Sequence, residues 1–333
     1  MTQTLRIGSH RLGEGQKTFI IGEIGSNHDR NWDQACRLID VVADSGADAV
    51  KIQLFDAGVL YAKNSPTFKL LRDIEFPREW VPKLAAYSQQ RGLIFLASPF
   101  DVPAVDCLVQ AKSLAYKVAS SEVVNLPLLR HIAQKNKPIL LSTGMCDLAD
   151  IHDALETIYA AGNREVVLLQ CTSLYPTEAR HVHLRVMDTL RSAFHVPVGF
   201  SDHTLSPYLP AAAVARGACV IEKHLTLSRS LQGPDHSYAL EPQEFQKMVQ
   251  AVRDVEQALG SYEKALLPEE AVYARREGIW AAHPISKGAT LRASHFVIKR
   301  PAKGLRARFL TSLMGQRAKK AFRKGDPITG EIL

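Results

Sequence analysis

The sequence predicts a TIM (β/α)8 barrel followed by a small β-rich domain. Eight short β-branched runs alternate with helical patterns over about 240 residues, an order typical of a parallel sheet covered by helices. Beyond Gly260 the pattern changes to short strands separated by turn residues. A doubly wound open sheet is the alternative, because the pattern alone does not show that the sheet closes.

The strands and helices are predicted in alternating order along the first part of the chain. The strands fall at 18–25, 49–55, 93–100, 115–120, 138–144, 166–172, 196–203 and 219–225. Three of the helical patterns between them end in Gly46, Gly92 and Gly162, where a left-handed residue commonly stops a helix. We therefore expect a barrel over residues 1–260, a linker over 261–276 and a second domain over 277–333.

The composition is that of an ordinary globular protein. The 333 residues are 46% hydrophobic and 23% charged. No uncharged apolar run reaches the roughly 18 residues that a membrane span requires, and the first residues lack the apolar centre of a secretory signal. The five cysteines are dispersed, which favours reduced thiols. We expect a cytoplasmic protein with no membrane partner.

The positive charge is concentrated at the carboxyl end. Residues 275–333 hold 14 Lys and Arg against 3 Asp and Glu, whereas the whole chain carries a net charge of +7. Such an excess can indicate nucleic acid binding, or a solvated basic face that docks onto an acidic surface. The segment has no zinc-finger or RNP pattern. We therefore expect no nucleic acid partner.

The predicted strand ends carry many polar side chains, and barrel enzymes place their active sites there. His203 and His224 close the last two runs, so both imidazoles should lie at one edge, where they could hold a divalent metal. Each residue alone also has a structural explanation; a single strand-end histidine is more often structural than a metal ligand. The convergence of the whole set favours a site. The other candidates are Glu23, Lys51, Ser98, Lys117, Ser120, Glu122, Ser142, Ser173 and Tyr175.

The residue types indicate an anionic substrate. Lysines and hydroxyls suit phosphate and carboxylate groups. No G-x-G-x-x-G follows the first strand and no Walker lysine motif is present, which disfavours a nicotinamide or ATP enzyme.

A series of ordered motifs resembles the bacterial sialic acid (N-acetylneuraminate) synthase family. They are GEIGSNH, DAVKIQLF, ASPFD, YKVASSE, KPILLSTGM, QCTSLYPT, GFSDHT, IEKHLTL and GPDHSYALEP. The tail motifs VIKRPAKGL and LMGQRAKKAFRKGDPI resemble the antifreeze-like (SAF) domain of that family. The resemblance covers nearly the whole chain.

The resemblance implies condensation of phosphoenolpyruvate with an N-acetylated hexosamine, with release of phosphate by C–O cleavage. It implies a divalent metal, Mn²⁺ first with Mg²⁺ or Co²⁺ as substitutes, on His203 and His224, and a general-base role for Glu23. It also implies a domain-swapped homodimer. The remaining implied site residues are Lys51, Ser98, Lys117, Ser120, Ser142 and Ser201 for phosphoenolpyruvate, and Glu122, Ser173, Tyr175, Asp235 and Arg300 on the sugar or proton-handling side.

Some features leave the acceptor sugar open. Ser173 stands where some members of the family have asparagine. The tail has Pro301-Ala302-Lys303-Gly304 in place of the family's usual Pro-Gly-Asn-Gly. The short loop after the second strand gives no match to the family's sugar-binding asparagine. N-acetylmannosamine, legionaminic-type and pseudaminic-type precursors all remain candidates. Two competing hypotheses are a 3-deoxy-octulosonate-type condensing enzyme and a non-catalytic sugar-binding protein.

Overall fold

The structure is a computed structural model that describes residues 4–272 and 275–333. The chain divides into two compact units, Met1–Gly260 and Ser261–Leu333. The predicted linker includes residues 273 and 274, which lie outside the described residues. The first unit begins with a hairpin of β1 (Leu5–Ile7) and β2 (His10–Leu12). Eight parallel strands follow: β3 (Phe19–Gly25), β4 (Ala49–Leu54), β5 (Ile94–Pro99), β6 (Tyr116–Val118), β7 (Ile139–Ser142), β8 (Val166–Cys171), β9 (Val198–Asp202) and β10 (Val220–His224).

These eight strands form one curled sheet. Their order is β5-β4-β3-β10-β9-β8-β7-β6, and the two outermost strands, β5 and β6, also pack against each other. The sheet is therefore a nearly closed barrel, and the predicted fold class is confirmed. The registers place Glu23 opposite His224 on one side and opposite Lys51 on the other, so three chemically active residues occupy the same level of the rim.

Helices cover the outside of the sheet and connect successive strands. The predicted helix stops are confirmed, because Gly46, Gly92 and Gly162 have φ of +80°, +77° and +92° just beyond α1, α4 and α7. The helices are α1 (Trp32–Asp44), α2 (Ala57–Leu60), α3 (Pro66–Ile74), α4 (Val81–Gln90), α5 (Val102–Gln110), α6 (Leu126–Ala133), α7 (Leu148–Ala160), α8 (Val186–Phe194), α9 (Leu209–Ala215) and α10 (Pro242–Leu259).

The period-two alternation of the strands separates two apolar layers. Ile20 and Val50 face the helices and belong to the large outer core. Ile21 and Ala49, one residue away, face the barrel interior. Leu12 of the β1–β2 hairpin joins this inner cluster, which is built from the starts of the strands. The amino-terminal end of the barrel is therefore filled with apolar side chains, which leaves the carboxyl end for polar ones.

The second unit is small and has its own core. It contains α11 (Pro268–Val272), the antiparallel strands β11 (Gly278–Ala281) and β12 (Phe296–Lys299), and α12 (Leu310–Leu313). Ile279, Ile285, Leu313 and Ile328 are buried together in it. No helix in the described part of either unit is long and apolar enough to cross a membrane.

Candidate active site

A cavity of about 440 Å³ opens at the carboxyl ends of the barrel strands. Its walls are built from residues that follow or end the strands, as a barrel enzyme requires. Most of the predicted site residues line it: Glu23, Lys51, Ser98, Lys117, Ser120, Ser142, Ser173, Tyr175, Ser201, His203, His224 and Asp235.

A buried network of lysines and carboxylates forms the floor of the cavity. Lys51 Nζ lies 2.8 Å from Glu23 Oε2 and 3.7 Å from Glu222 Oε1. Lys117 Nζ lies 3.3 Å from Glu222 Oε1, and Ser201 donates a hydrogen bond to the same oxygen at 3.1 Å. Glu222 therefore joins the two lysines. Because all four charged side chains are almost fully buried, their charges are held by one another and not by water.

The network gives its four groups different proton affinities. Burial opposes ionisation of Glu222, but Lys117 and Lys51 outweigh it and lower its pKa to about 2. Burial raises the pKa of Glu23 above its ordinary value, against the opposing charge of Lys51. Burial lowers the pKa of Lys117, whereas Glu222 and Glu23 overcome burial and raise the pKa of Lys51. Glu23 is therefore the carboxylate best suited to take up a proton.

A group of small polar side chains forms the wall beside Lys117. Ser120 Oγ accepts a hydrogen bond from the backbone N–H of Gly144 at 2.9 Å. The buried hydroxyls of Ser142 and Ser173 have no hydrogen-bond partner in the described part of the protein. A Cβ at Gly144 would come within 2.4 Å of Ser173 Oγ, so glycine permits this close approach. Unpaired hydroxyls beside a buried lysine indicate a subsite for an anionic ligand.

His203 and His224 meet on the other side of the cavity, with ring centroids 5.3 Å apart. His203 Nδ1 lies 2.9 Å from the carbonyl oxygen of Thr172, so it carries the proton and leaves Nε2 free. His224 Nδ1 is buried without a hydrogen-bond partner in the part of the chain that the structure describes. Burial lowers the pKa of His203 to about 3 and that of His224 to about 4. Both rings are therefore neutral at physiological pH, as metal ligands must be.

The histidine pair fits a metal only as a partial ligand set. Among the residues that the structure describes, no group of three or more His, Cys, Asp and Glu side chains is arranged to hold a metal ion. Two neutral imidazoles, one with an unpaired buried nitrogen, suit a divalent ion whose other ligands are substrate and water.

Aromatic side chains cover the histidines. The ring of Tyr175 lies 4.4 Å from that of His203, and the ring of Tyr238 lies 5.0 Å from that of His224. Tyr238 donates a hydrogen bond of 2.6 Å to Asp235 Oδ1. Asp235 Oδ2 accepts one of 2.8 Å from the backbone N–H of Ser26. Asp235 is thus fixed between the loops that follow β10 and β3.

Two predicted site residues lie elsewhere. Glu122 does not line the cavity, because its 3₁₀ turn brings its carboxylate to Asn125, whose amide donates to it at 3.1 Å. Arg300 belongs to the carboxyl-terminal unit, where its Nε lies 3.5 Å from Glu277 Oε1 and its side chain is exposed. Neither contact provides evidence for the role predicted for its residue.

Several cavity residues were not among the predicted site residues. Glu222 and His224 lie on one face of β10, and that alternation could have identified Glu222. Gln53 donates a hydrogen bond of 2.9 Å to Glu23 Oε1. The outer wall is apolar, and its residues come from helices and loops that sequence patterns do not position. They are Tyr61, Leu71, Phe100 and Met145.

Lys223 lies on the face of β10 opposite to Glu222 and His224. Its side chain does not line the cavity; it lies 2.6 Å from Asp202 Oδ2 and also donates to the carbonyl oxygen of Thr204. This buried ammonium ties β10 to the residues on both sides of His203.

Comparison with known proteins gives two matched regions. The sequence matches the NeuB family over residues 38–264 and the SAF domain over residues 276–332. The chain is 37% identical over 327 residues to an N,N'-diacetyllegionaminic acid synthase of Legionella pneumophila, a match that covers 92% of this chain and 91% of the relative. It is 32% identical to the human N-acetylneuraminate-9-phosphate synthase, with 97% and 94% covered.

A solved structure supports the same relationship. The crystal structure of an N-acetylneuraminic acid synthetase from Leptospira borgpetersenii, in complex with citrate, superposes with a TM-score of 0.77 at 32% identity. The match covers 82% of this chain and 95% of the other.

Proposed function

Because the chain belongs to the NeuB family and ends in a SAF domain, we propose that it is a nonulosonic acid synthase. It condenses phosphoenolpyruvate with the open-chain form of an N-acetylated hexosamine, which gives a nine-carbon sugar acid and phosphate. The observation that carries this proposal is the juxtaposition, in one cavity, of a buried lysine pair, Glu23 and two neutral histidines.

The lysine side of the cavity supports the binding of phosphoenolpyruvate. Lys51 and Lys117 provide buried positive charge, and Ser142 and Ser173 provide hydroxyls without partners among the described residues. Phosphate and carboxylate oxygens would satisfy both kinds of group. Ser98 accepts a hydrogen bond from Lys51 at 3.0 Å and so fixes the direction of that ammonium.

The reaction then forms one C–C bond and one C–O bond to water, and breaks the C–O bond to phosphate. C3 of phosphoenolpyruvate attacks the aldehyde carbon, and the aldehyde oxygen becomes a hydroxyl. Water adds to the cation left at C2 and gives up a proton to Glu23, whose pKa burial raises. The bond between C2 and the phosphate oxygen then breaks, so phosphate leaves, and the C2 hydroxyl loses its proton as C2 becomes a ketone. Of the two protons that the water brings, one replaces the proton gained by the aldehyde oxygen, by way of Glu23, and the other leaves with phosphate.

His203 and His224 would hold the divalent ion, for which we propose Mn²⁺, with Mg²⁺ or Co²⁺ as substitutes. When bound, such an ion supplies Lewis-acid polarisation of a carbonyl oxygen. Thr172 holds His203 in the orientation that leaves Nε2 free. Tyr175 and Tyr238 pack on the two rings and restrict the access of water to them.

The opposite side of the cavity would receive the sugar. We propose that Asp235 and Tyr175, which line the cavity, contact its hydroxyl groups, and N-acetylmannosamine is the acceptor that we propose first. A legionaminic-type or pseudaminic-type precursor is the second candidate, because Tyr61, Leu71 and Phe100 form an apolar wall. Apolar side chains favour methyl and acyl groups over hydroxyl groups.

The second unit supports a further part of the proposal. The guanidinium of Arg300 is exposed and near one carboxylate, so it is available to a sugar substituent. We propose that the chain forms a domain-swapped homodimer in which Arg300 serves the cavity of the partner subunit.

The proposal is tested by phosphate release from phosphoenolpyruvate. We expect release only when an acceptor and Mn²⁺ are both present, and mass spectrometry of a mixture of the three acceptor types identifies the product. Sugar binding in calorimetry without phosphate release would instead support a non-catalytic binding protein. Turnover of arabinose 5-phosphate but not of the hexosamines would support a 3-deoxy-octulosonate-type enzyme.

A further inference from the structure

The segment after β10 forms a closed loop over the rim. Leu225 and Leu240 pair at its base, and the backbone N–H of Leu240 donates to the carbonyl oxygen of His224 at 3.0 Å. Between these ends the chain carries Asp235 and Tyr238 to the histidine side of the cavity. Compact loops with adjacent ends depend on their own side chains for their shape. The position of Asp235 therefore depends on what anchors this loop.

His236 provides such an anchor. Its side chain is fully buried and does not line the cavity. Its Nδ1 lies 2.7 Å from Thr226 Oγ1, at the start of the same loop. Its Nε2 lies 3.0 and 3.1 Å from the two carboxylate oxygens of Asp29. Because a carboxylate only accepts hydrogen bonds, Nε2 carries the hydrogen and its N–H donates a hydrogen bond to Asp29.

Asp29 is itself fixed in the loop that follows β3. Gln34 donates hydrogen bonds to Asp29 Oδ2 and, at 2.7 Å, to the carbonyl oxygen of Asn27. The side-chain amide of Asn27 donates to the carbonyl oxygen of Leu225 at 2.8 Å. The imidazole of His236 thus connects the loop after β10 to a hydrogen-bonded neighbouring loop and not to solvent.

The residue before His236 is the one that reaches the cavity. Asp235 Oδ2 and His224 Cε1 both lie against Gly25, where a Cβ would come within 2.5 Å of the first and 3.1 Å of the second. Asp235 therefore reaches the histidine side of the cavity through space that only a glycine at this position leaves open. A shift of about 1 Å at such a position can reduce turnover roughly a hundredfold.

We infer that His236 is a positioning residue, which acts with Asp29 to hold Asp235 and Tyr238 beside His224. This inference rests on the proposed function for its catalytic consequence, whereas the anchoring itself does not. It assigns a role to a buried histidine that does not line the cavity.

Hydrogen exchange tests the anchoring without any turnover. We expect His236→Ala to speed amide exchange in residues 226–240 and at Ser26, whose N–H is bonded to Asp235, while β6 and β7 keep wild-type exchange. His236→Gln can still donate to Asp29 and should restore part of the protection. Ser237→Ala, at the exposed neighbouring residue, is the matched control. Unchanged exchange in His236→Ala would overturn the inference.

Steady-state kinetics tests the catalytic consequence. We expect His236→Ala to lower kcat/KM for the acceptor by about 10- to 100-fold, with the KM for phosphoenolpyruvate within about twofold of wild type, because Lys51 and Lys117 are held by ion pairs with Glu23 and Glu222 on the barrel strands. Combined with Asp235→Asn, its effect should be less than additive, since both changes affect the same contact. Additive effects, or equal losses for both substrates, would overturn the positioning role. A wild-type enzyme without phosphate release would contradict the proposed function, and the exchange result would still decide the anchoring.

Discussion

Lys51 Nζ lies 2.8 Å from Glu23 Oε2, across two neighbouring strands in which the two residues are register partners. Burial raises the pKa of Glu23 and Lys51 opposes that rise. An anionic substrate that engages Lys51 would weaken this opposition. The lysine is therefore expected to serve both substrate binding and the proton affinity of the general base.

Replacement of this lysine should separate the two effects. We expect Lys51→Met to raise the KM for phosphoenolpyruvate by about 10- to 100-fold, since a charged hydrogen bond contributes about 1.5–3 kcal/mol. Without the positive charge the pKa of Glu23 rises, so the acid limb of the kcat–pH profile should move to higher pH. Rates measured from about pH 5 to 9 check this, with Lys63→Met on the exposed α2–α3 connection as control. An acid limb that stays in place would contradict the coupling.

Loss of either cavity histidine should remove metal binding. We expect His203→Ala and His224→Ala each to weaken Mn²⁺ binding at least about 100-fold, the upper range for loss of a supporting partner alone. Calorimetric titration with Mn²⁺ measures this without substrates, and circular dichroism checks the fold. His181→Ala is the matched control, because His181 lies on the rim but not in the cavity. Wild-type affinity in either cavity variant would remove that residue from the proposed site.

The barrel and most of its rim could be predicted from the sequence, because apolar strand runs alternate regularly with helical patterns and polar residues stand at the ends of the strand runs. Parallel strands end at one edge, so His203, His224, Lys51 and Lys117 had to converge. Glu122 does not line the cavity, since a short turn after β6 brings its carboxylate to Asn125, and the role predicted for it stays a prediction. Pairings such as Asp29 with His236, 207 residues apart, depend on loop paths that no local pattern specifies.

Acid should destabilise the protein partly through His28. This histidine is buried against Phe76, and burial lowers its pKa to about 4, against about 6.5 when unfolded. Between these pH values the unfolded state binds a proton at His28 that the folded state does not bind. The contribution of neutral His28 to the free energy of unfolding is therefore fully present above about pH 6.5 and is lost as the pH decreases towards about 4.

The contribution of His28 can be isolated by comparing how the free energy of unfolding changes with pH in wild type and in His28→Gln. Over this pH window the free energy of unfolding of the wild type should fall by up to about 1.4 kcal/mol per pH unit more than that of the variant. Urea unfolding at about pH 7 and about pH 5 provides the measurement. The variant will be less stable overall because ring packing is lost, so only the difference in slope is diagnostic. Equal slopes would contradict the buried neutral state of His28.

Met145 should show opposite effects on stability and turnover. It has a left-handed φ of +63°, which costs a side-chain-bearing residue roughly 1–2 kcal/mol, yet it is 72% exposed and lines the cavity. We expect Met145→Gly to leave the free energy of unfolding unchanged or to raise it, while kcat/KM for the acceptor falls about 3- to 10-fold through lost apolar contact. Urea unfolding and steady-state rates check both. Leu148→Ala, exposed on α7 outside the cavity, should change neither, and unaltered turnover in Met145→Gly would exclude Met145 from acceptor binding.

We propose that this cavity joins phosphoenolpyruvate to a hexosamine aldehyde with C–O cleavage. The most direct measurement uses phosphoenolpyruvate labelled with ¹⁸O in the bridge between C2 and phosphorus, incubated with acceptor and Mn²⁺. We predict that the released phosphate carries the label and that the C2 oxygen of the nine-carbon product comes from water. Unlabelled phosphate, with the label kept in the organic product, would show P–O cleavage and contradict the mechanism built on Glu23.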